Sequence, residues 1–458
     1  MAKVDPDPAS GGRPSTEELE TPDDQSDLST APDTAAAYVP PEVMANTMGE
    51  YLHAQARRIR GGESGVLPVL LGLIVIVIVF QVTSPNGVFL TAGNIVNLFQ
   101  QSAVFMVLSM AEIFVLLLGE IDLSLGYLLA VGGTIAVQLV QPVTTDWPWW
   151  AAIAAALLIC AFIGGVWGTL ITRLRLPSFI VTLGGLLILN GVLLWILALG
   201  PFSGYPSLNG KSSNLHTIYN LMWGRLDPLA GWIVMAVVVG LLSVSLWLRD
   251  TRRRRSGLVA PPVALTYIKI VLLAAIGITV VAICNVNRAT IGTLRGVPWA
   301  ILVVLGVLGA WTVLLQRTRY GRYVYAIGGN AEAARRAGIN VANIRTWAFI
   351  LAGLTAGIAG LLYAAYLGGM SNNVDGGQLV LYAVAGAVIG GTSLFGGRGK
   401  VAHGVLGGLV IGAIYNGMGL LGLQVQWQFI VTGGVLILAV IVDALSRRGA
   451  SSGSMTRA

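Results

Sequence analysis

The sequence predicts an all-α, polytopic integral membrane protein with about ten to twelve transmembrane helices. Three observations carry that expectation. Of its 458 residues, 55% are hydrophobic and only 11% charged, where a soluble domain carries roughly a quarter. The mean hydropathy is +0.76. Apolar runs of about 20 residues, the length a hydrocarbon core demands of a helix, recur between short polar connectors.

In chain order, residues 1–60 come first and differ in composition. Eleven of the 21 acids fall within the first fifty residues, with several prolines and almost no large apolar side chain before Tyr38. Such a segment buries too little to fold alone and is expected to be a cytoplasmic tail. It lacks the apolar core of a cleaved signal peptide. Residues 61–446 read as the membrane domain and 447–458 as a second cytoplasmic tail. Residues 51–458 hold 10 acids against 26 Lys and Arg, an excess that membrane topology explains without nucleic acid.

Within the membrane domain the apolar runs fall at about 66–82, 95–118, 123–141, 149–171, 178–199, 231–248, 264–284, 299–316, 346–367, 379–395, 404–423 and 426–443. One or two are open to being broken or re-entrant helices, hence the range of ten to twelve. Cytoplasmic connectors collect Lys and Arg. With the N-terminus inside, the inner segments carry 20 basic residues, among them Arg173, Arg175, Arg252 to Arg255, Arg335, Arg336 and Arg345. The outer segments carry 4, namely Lys211, Arg225, Arg288 and Arg295. That bias orients the chain with both termini cytoplasmic.

One inner connector is unusual. Residues 326–345 read AIGGNAEAARRAGINVANIR, a polar, Ala-rich stretch between two spans. Asn330 suits an N-cap, Glu332 complements the first turn, Arg335 and Arg336 the last, and Gly338 the left-handed position that ends a helix. The pattern predicts a two-turn helix over 331–337, with Ala331, Ala334 and Ala337 as a smooth face fit for a groove on another protein. So short a helix needs something packed against it. A solvated connector is the plain alternative.

NAEAARRAGIN resembles the coupling segment of ATP-binding-cassette (ABC) importer permeases, where Glu-Ala-Ala followed by glycine marks the helix that docks on the ATPase. Asn330, Glu332, Ala333, Ala334 and Gly338 occupy the matching positions. GEIDLSLG (119–126), PSFIVTLGG (177–185), VIGGTSLFGGRG (388–399) and WQFIVTGGVLILAV (427–440) are similar to the ribose and xylose branch of those permeases, and most similar to D-xylose permeases. The resemblance covers nearly all of 60–446. It implies the ABC importer permease fold in a bacterial plasma (inner) membrane, surrounded by lipid. It also implies a second permease copy, an ABC ATPase subunit and an extracellular or periplasmic sugar-binding protein as partners. The chain would then hold no cofactor, since ATP and magnesium belong to the ATPase. A pentose, xylose first, is the implied cargo. Branched-chain amino acids or another small polar solute are the alternative within the same mechanism.

Ionisable and polar groups at membrane depth are costly and mark pathways by default. Glu120, Asp122, Ser124, Asn190 and Asn416 are therefore the pathway candidates, with Glu112 embedded nearby. Asp122 and Ser124 equally suit a cap on a helix starting at Leu123. Glycines at four-residue spacing, Gly404, Gly408 and Gly412, and again Gly353 and Gly357, form faces for close packing, within the chain or across a homodimer. The Gly399-Lys400 pair is no phosphate loop, because Leu394 stands where glycine is needed and Val401 where Ser or Thr would hold magnesium. Cys160 and Cys284 lie in apolar runs, and the histidines His53, His216 and His403 are far apart, so no metal site and no enzyme is expected. An ion-coupled secondary transporter using Glu112, Glu120 and Asp122 is the rival class, but a self-sufficient transporter has no use for a docking helix.

Overall fold

The computed structural model describes residues 67–198, 206–256, 262–289, 291–424, 426–435, 437–438 and 441. The two tails, with Arg57, Arg58, Arg60, Arg447 and Arg448, lie outside the described residues, as does part of the twelfth run.

The described chain is helical throughout. Eight helices are long and apolar enough to cross a membrane. They are α2 (Ala92–Leu116), α4 (Trp149–Arg173), α5 (Ser178–Ala198), α7 (Pro228–Arg255), α8 (Val263–Asn285), α9 (Trp299–Arg317), α12 (Val341–Leu367) and α14 (Val401–Leu420). Three shorter apolar helices, α1 (Leu67–Thr83), α3 (Leu125–Leu139) and α13 (Gly376–Ile389), complete the apolar set. Three further helices are polar: α6 (Ser213–Trp223) and α10 (Arg319–Gly329), which the sequence pattern did not separate out, and α11 (Ala331–Arg336), expected over 331–337. The chain is thus a multi-pass membrane protein.

Lipid tails are as apolar as leucine, so burial of leucine gives no drive for helix association, and close backbone approach takes over. The glycine rows show how. A Cβ on Gly404 or Gly408 would meet Met110 and Met106 of α2, and one on Gly412 would overlap Ser102. On Gly353 and Gly357 it would meet Cys160 of α4. Both rows therefore pack within the subunit, which settles the question the spacing left open. α2 and α12 form the centre of the bundle, with α3, α4, α13 and α14 around them. α7 and α8 pair with each other at the periphery and leave long apolar faces outward, including Val237, Leu241, Val271 and Ile276.

The two ends of the bundle differ in charge. The turns 117–124 and 390–400, the connector 174–177 and α10 and α11 share one end, joined by Gly397 N–H to Leu117 O at 2.9 Å and an Arg345–Glu120 ion pair at 3.2 Å. This arginine-rich end carries Arg173, Arg175, Arg317, Arg319, Arg335, Arg336, Arg345 and Arg398. At the arginine-poor end α6 lies over the end of α12, with Trp223 Nε1 donating to Ala365 O at 2.9 Å. Ser207 bridges Gly369 nearby. The helix expected to start at Leu123 starts at Leu125, because Leu123 and Ser124 form a turn closed by Asp122.

Candidate functional site

The coupling segment folds as its residues dictate. Asn330 ends α10 with its N–H, which donates to Ala326 O at 3.0 Å, and its Oδ1 accepts from Ala333 N at 2.9 Å to cap α11. Glu332 pairs with Arg335 at 3.1 Å and Arg336 at 3.3 Å. Gly338 has φ +82°, the left-handed conformation that favours glycine, and Ile339 N–H closes the end on Ala334 O at 3.1 Å. One expectation is corrected. Ala334 is buried against its own chain, 5% exposed, and Ala331 is half-buried, so the face Ala331, Ala334, Ala337 does not point outward as a unit. The outward face is Ala333, Arg336 and Ala337. The sequence places three alanines on a stripe, but the anchoring of α11 on Ile339 and α10 decides which stripe is used inside.

α10 is what holds α11 in place. It is amphipathic, burying Gly321, Val324 and Ile327. Gly328 lies so close to Leu117 that a Cβ would overlap its carbonyl oxygen. Tyr325 OH donates to Gly399 O at 2.8 Å. The α10–α11 elbow therefore rests on the turns that join α2 to α3 and α13 to α14.

The pathway candidates separate. Glu120 sits at the arginine-rich end, paired with Arg345. Asp122 is fully buried and its Oδ1 accepts from Ser124 N at 2.9 Å and Ser124 Oγ at 2.6 Å, while its own N–H donates to Glu112 Oε1 at 3.3 Å. Burial pushes its carboxyl from an ordinary 3.8 to about 6, and the two Ser124 bonds oppose that rise. Asn190 is half-buried on α5, which packs on α3 and α4. Asn416 accepts from Asn94 Nδ2 at 2.9 Å and donates to Gln101 Oε1 at 3.1 Å. Of the five, Glu120 lines a cleft beside α11.

Asp122 supports a test at this point. Asp122→Asn keeps the Oδ1 acceptor and is expected to yield near-normal folded protein. Asp122→Ala leaves two donors without it and lowers stability by about 1–3 kcal/mol, seen as a lower melting temperature of the purified protein. Because the folded carboxyl is raised, ionising it weakens the fold as pH rises from about 4 to about 6, and the Asn variant loses that dependence.

The cavity that does exist was missed. Between α2, α12, α13 and α14, in the arginine-poor half, lies an open cavity of about 140 Å³. Its aromatic walls are Phe105, Tyr363, Tyr366, Tyr382 and Tyr415, and its polar groups are Gln101, Asn373, Asp375 and Gln378. Phe105 stands edge-on to Tyr382 and Tyr415, ring centroids 5.4 and 5.8 Å apart. Gln378 Nε2 bonds Tyr382 OH, and Asp375 Oδ1 holds Gln378 N at 3.0 Å. Asn416 acts from behind, fixing Gln101. The sequence signal was a tyrosine near the same end of three spans, but tyrosines there also read as the ordinary interfacial belt.

A polytopic helical bundle with a polar, aromatic-lined cavity at one end and an exposed, capped helical elbow at the other is the architecture of a membrane transport subunit. Comparison with known families agrees. The chain belongs to the family described as branched-chain amino acid transport system / permease component, whose profile matches residues 94–440. It is 34% identical over 393 residues to the xylose transport system permease protein of Haemophilus influenzae, covering 83% of this chain and 96% of that one. It is 34% identical over 399 residues to the xylose transport system permease protein of Escherichia coli, with 85% and 95% covered. To the ribose import permease protein of Escherichia coli it is 31% identical over 375 residues, with 82% and 92% covered. No solved structure matches. The chain is a permease and not an enzyme.

Proposed function

We propose that this permease is the membrane-spanning subunit of an ATP-binding-cassette importer for a monosaccharide, a pentose and xylose first, in a bacterial inner membrane. The observation that carries the reading is the outward-facing, doubly capped α11, seated through α10 on both inter-helix turns. A partner ATPase gripping α11 moves the elbow, and the elbow moves α2, α3, α13 and α14, of which α2, α13 and α14 wall the cavity. The arginine-rich end faces the cytoplasm, because basic residues are retained there. A sugar-binding protein delivers cargo at the other end, over α6 and the loops with Asp146, Asp227 and Asp375. A second copy of the chain completes the importer, and the ATPase holds ATP and magnesium.

The cavity suits a sugar. Ring faces receive the C–H side of a pyranose, and amide and carboxylate groups at the rim take its hydroxyls. A second reading, ion-coupled transport, has the fully buried Glu112 and Asp122 in its favour. Reconstitution of the permease with its ATPase and binding protein decides between them. Xylose uptake should require internal ATP and survive an uncoupler, and Tyr382→Ala should lower it at least tenfold while ATPase association is unchanged. Uptake that stops with the uncoupler revives ion coupling. Normal uptake by Tyr382→Ala moves the pathway out of this cavity.

A further inference from the structure

Beside α11 at the arginine-rich end lies a second, larger cleft of about 750 Å³. Arg175, Arg335, Arg345 and Glu120 line it, with Thr172, Ser178 and Asn340 as further polar groups. Arg173 and Arg336 flank it in sequence, and the acids of this region are Glu120, bound to Arg345, and Glu332, bound to Arg335 and Arg336. The cleft wall itself therefore presents three arginines and one carboxylate, Glu120. Arg175 is exposed, has no carboxylate partner among the described residues, and sits at φ +55°, a conformation that a non-glycine residue adopts only when its surroundings hold it there. The cleft is a cationic surface whose charge the described chain does not balance.

The balancing charge is in the same polypeptide. From Pro14 to Ala56 there is no Lys or Arg and there are nine acids, six of them within Glu17 to Asp27. Described structure begins at Leu67, the start of α1. The far end of α1 is fixed by Phe80, which packs against Gly417 near the arginine-poor end of α14, so α1 begins at the arginine-rich end. The acidic segment is thus tethered at the end where the cleft opens. About 40 residues separate Asp27 from Leu67, an extended reach of roughly 130 Å, so length does not limit the contact. Tethering also gives the segment an effective concentration of order millimolar, enough for a modest electrostatic site to be occupied.

We propose that the Glu17–Asp27 segment of this chain docks in the cleft of Arg175, Arg335 and Arg345. Because the cleft adjoins α11, a docked segment stands where an ATPase would approach. That consequence, though not the docking itself, rests on the coupling role proposed for α11. The ATPase would then have to displace the segment, and each permease would carry its own competitor.

The full-length chain in proteoliposomes tests this, with a photoreactive benzophenone amino acid replacing Ser26. Cross-links should map to the peptides 172–178 and 335–345. Their yield should fall at least fivefold in Arg175→Gln/Arg335→Gln, and equally on raising salt from 50 to 500 mM, because the contact is ionic. Asp23→Asn/Asp24→Asn/Asp27→Asn, which leaves the described fold untouched, should give the same loss. Cross-links that map to lipid or elsewhere on the chain, or a yield indifferent to both sets of charges, overturn the proposal. Added ATPase should lower the yield at least threefold. An arginine-dependent yield that the ATPase leaves unchanged keeps the tail site and counts against docking at α11.

Discussion

Ala333→Trp is expected to reach the membrane in normal amount yet lose both co-purification with the ATPase and sugar uptake, whereas Ala334→Trp loses the folded protein. The two positions are neighbours in sequence and opposite in environment. Ala333 is exposed on α11, one turn from Ala337, and a ring there stands out into whatever the helix docks on. Overpacking a tight interface costs roughly 1–3 kcal/mol, enough to weaken association about tenfold or more. Ala334 is 5% exposed and its carbonyl receives Ile339 N–H, so a ring there must push α11 off its own support. Membrane abundance, ATPase co-purification and uptake separate the outcomes. If α11 were a solvated connector, Ala333→Trp would be almost silent, because surface substitutions usually stay within about 0.5 kcal/mol.

Gly407→Val is expected to abolish folded protein altogether. At the crossing of α13 and α14, a Cβ on Gly407 would overlap the carbonyl oxygen of Gly386. Backbone is a neighbour that cannot rotate away, so the helices must separate. The other side of α14 is no freer, since Gly404, Gly408 and Gly412 lie against α2. A loss above about 4 kcal/mol is the expectation for a clash of this kind. Because Tyr382 rides on α13 and Tyr415 on α14, the cavity is lost with the crossing. Gly191→Val is the matched control. A Cβ there meets nothing within 4 Å, so folded yield in detergent should stay near normal. Comparable loss in both variants would show that side-chain size in these spans, and not the crossing, limits folding.

The sequence by itself determined the class, the run of spans and the short helix α11 with its caps. These are local or compositional properties: hydropathy is summed along the chain, and the bond from Ala333 N–H to Asn330 Oδ1 spans three residues. It also supplied the glycine rows, though not what they pack on. The tertiary structure decided what depends on residues far apart. The partners of Asn416, Asn94 and Gln101, lie more than 300 positions away, and only their approach makes it a support for the cavity wall. Tyr363, Tyr382 and Tyr415 carry no local mark that sets them apart from belt tyrosines, and they become a site because four helices converge. Likewise Ala331, Ala334 and Ala337 share a stripe by periodicity, yet periodicity has no inside. The contacts of α11 with its own chain choose the buried side, and so leave Ala333, Arg336 and Ala337 exposed.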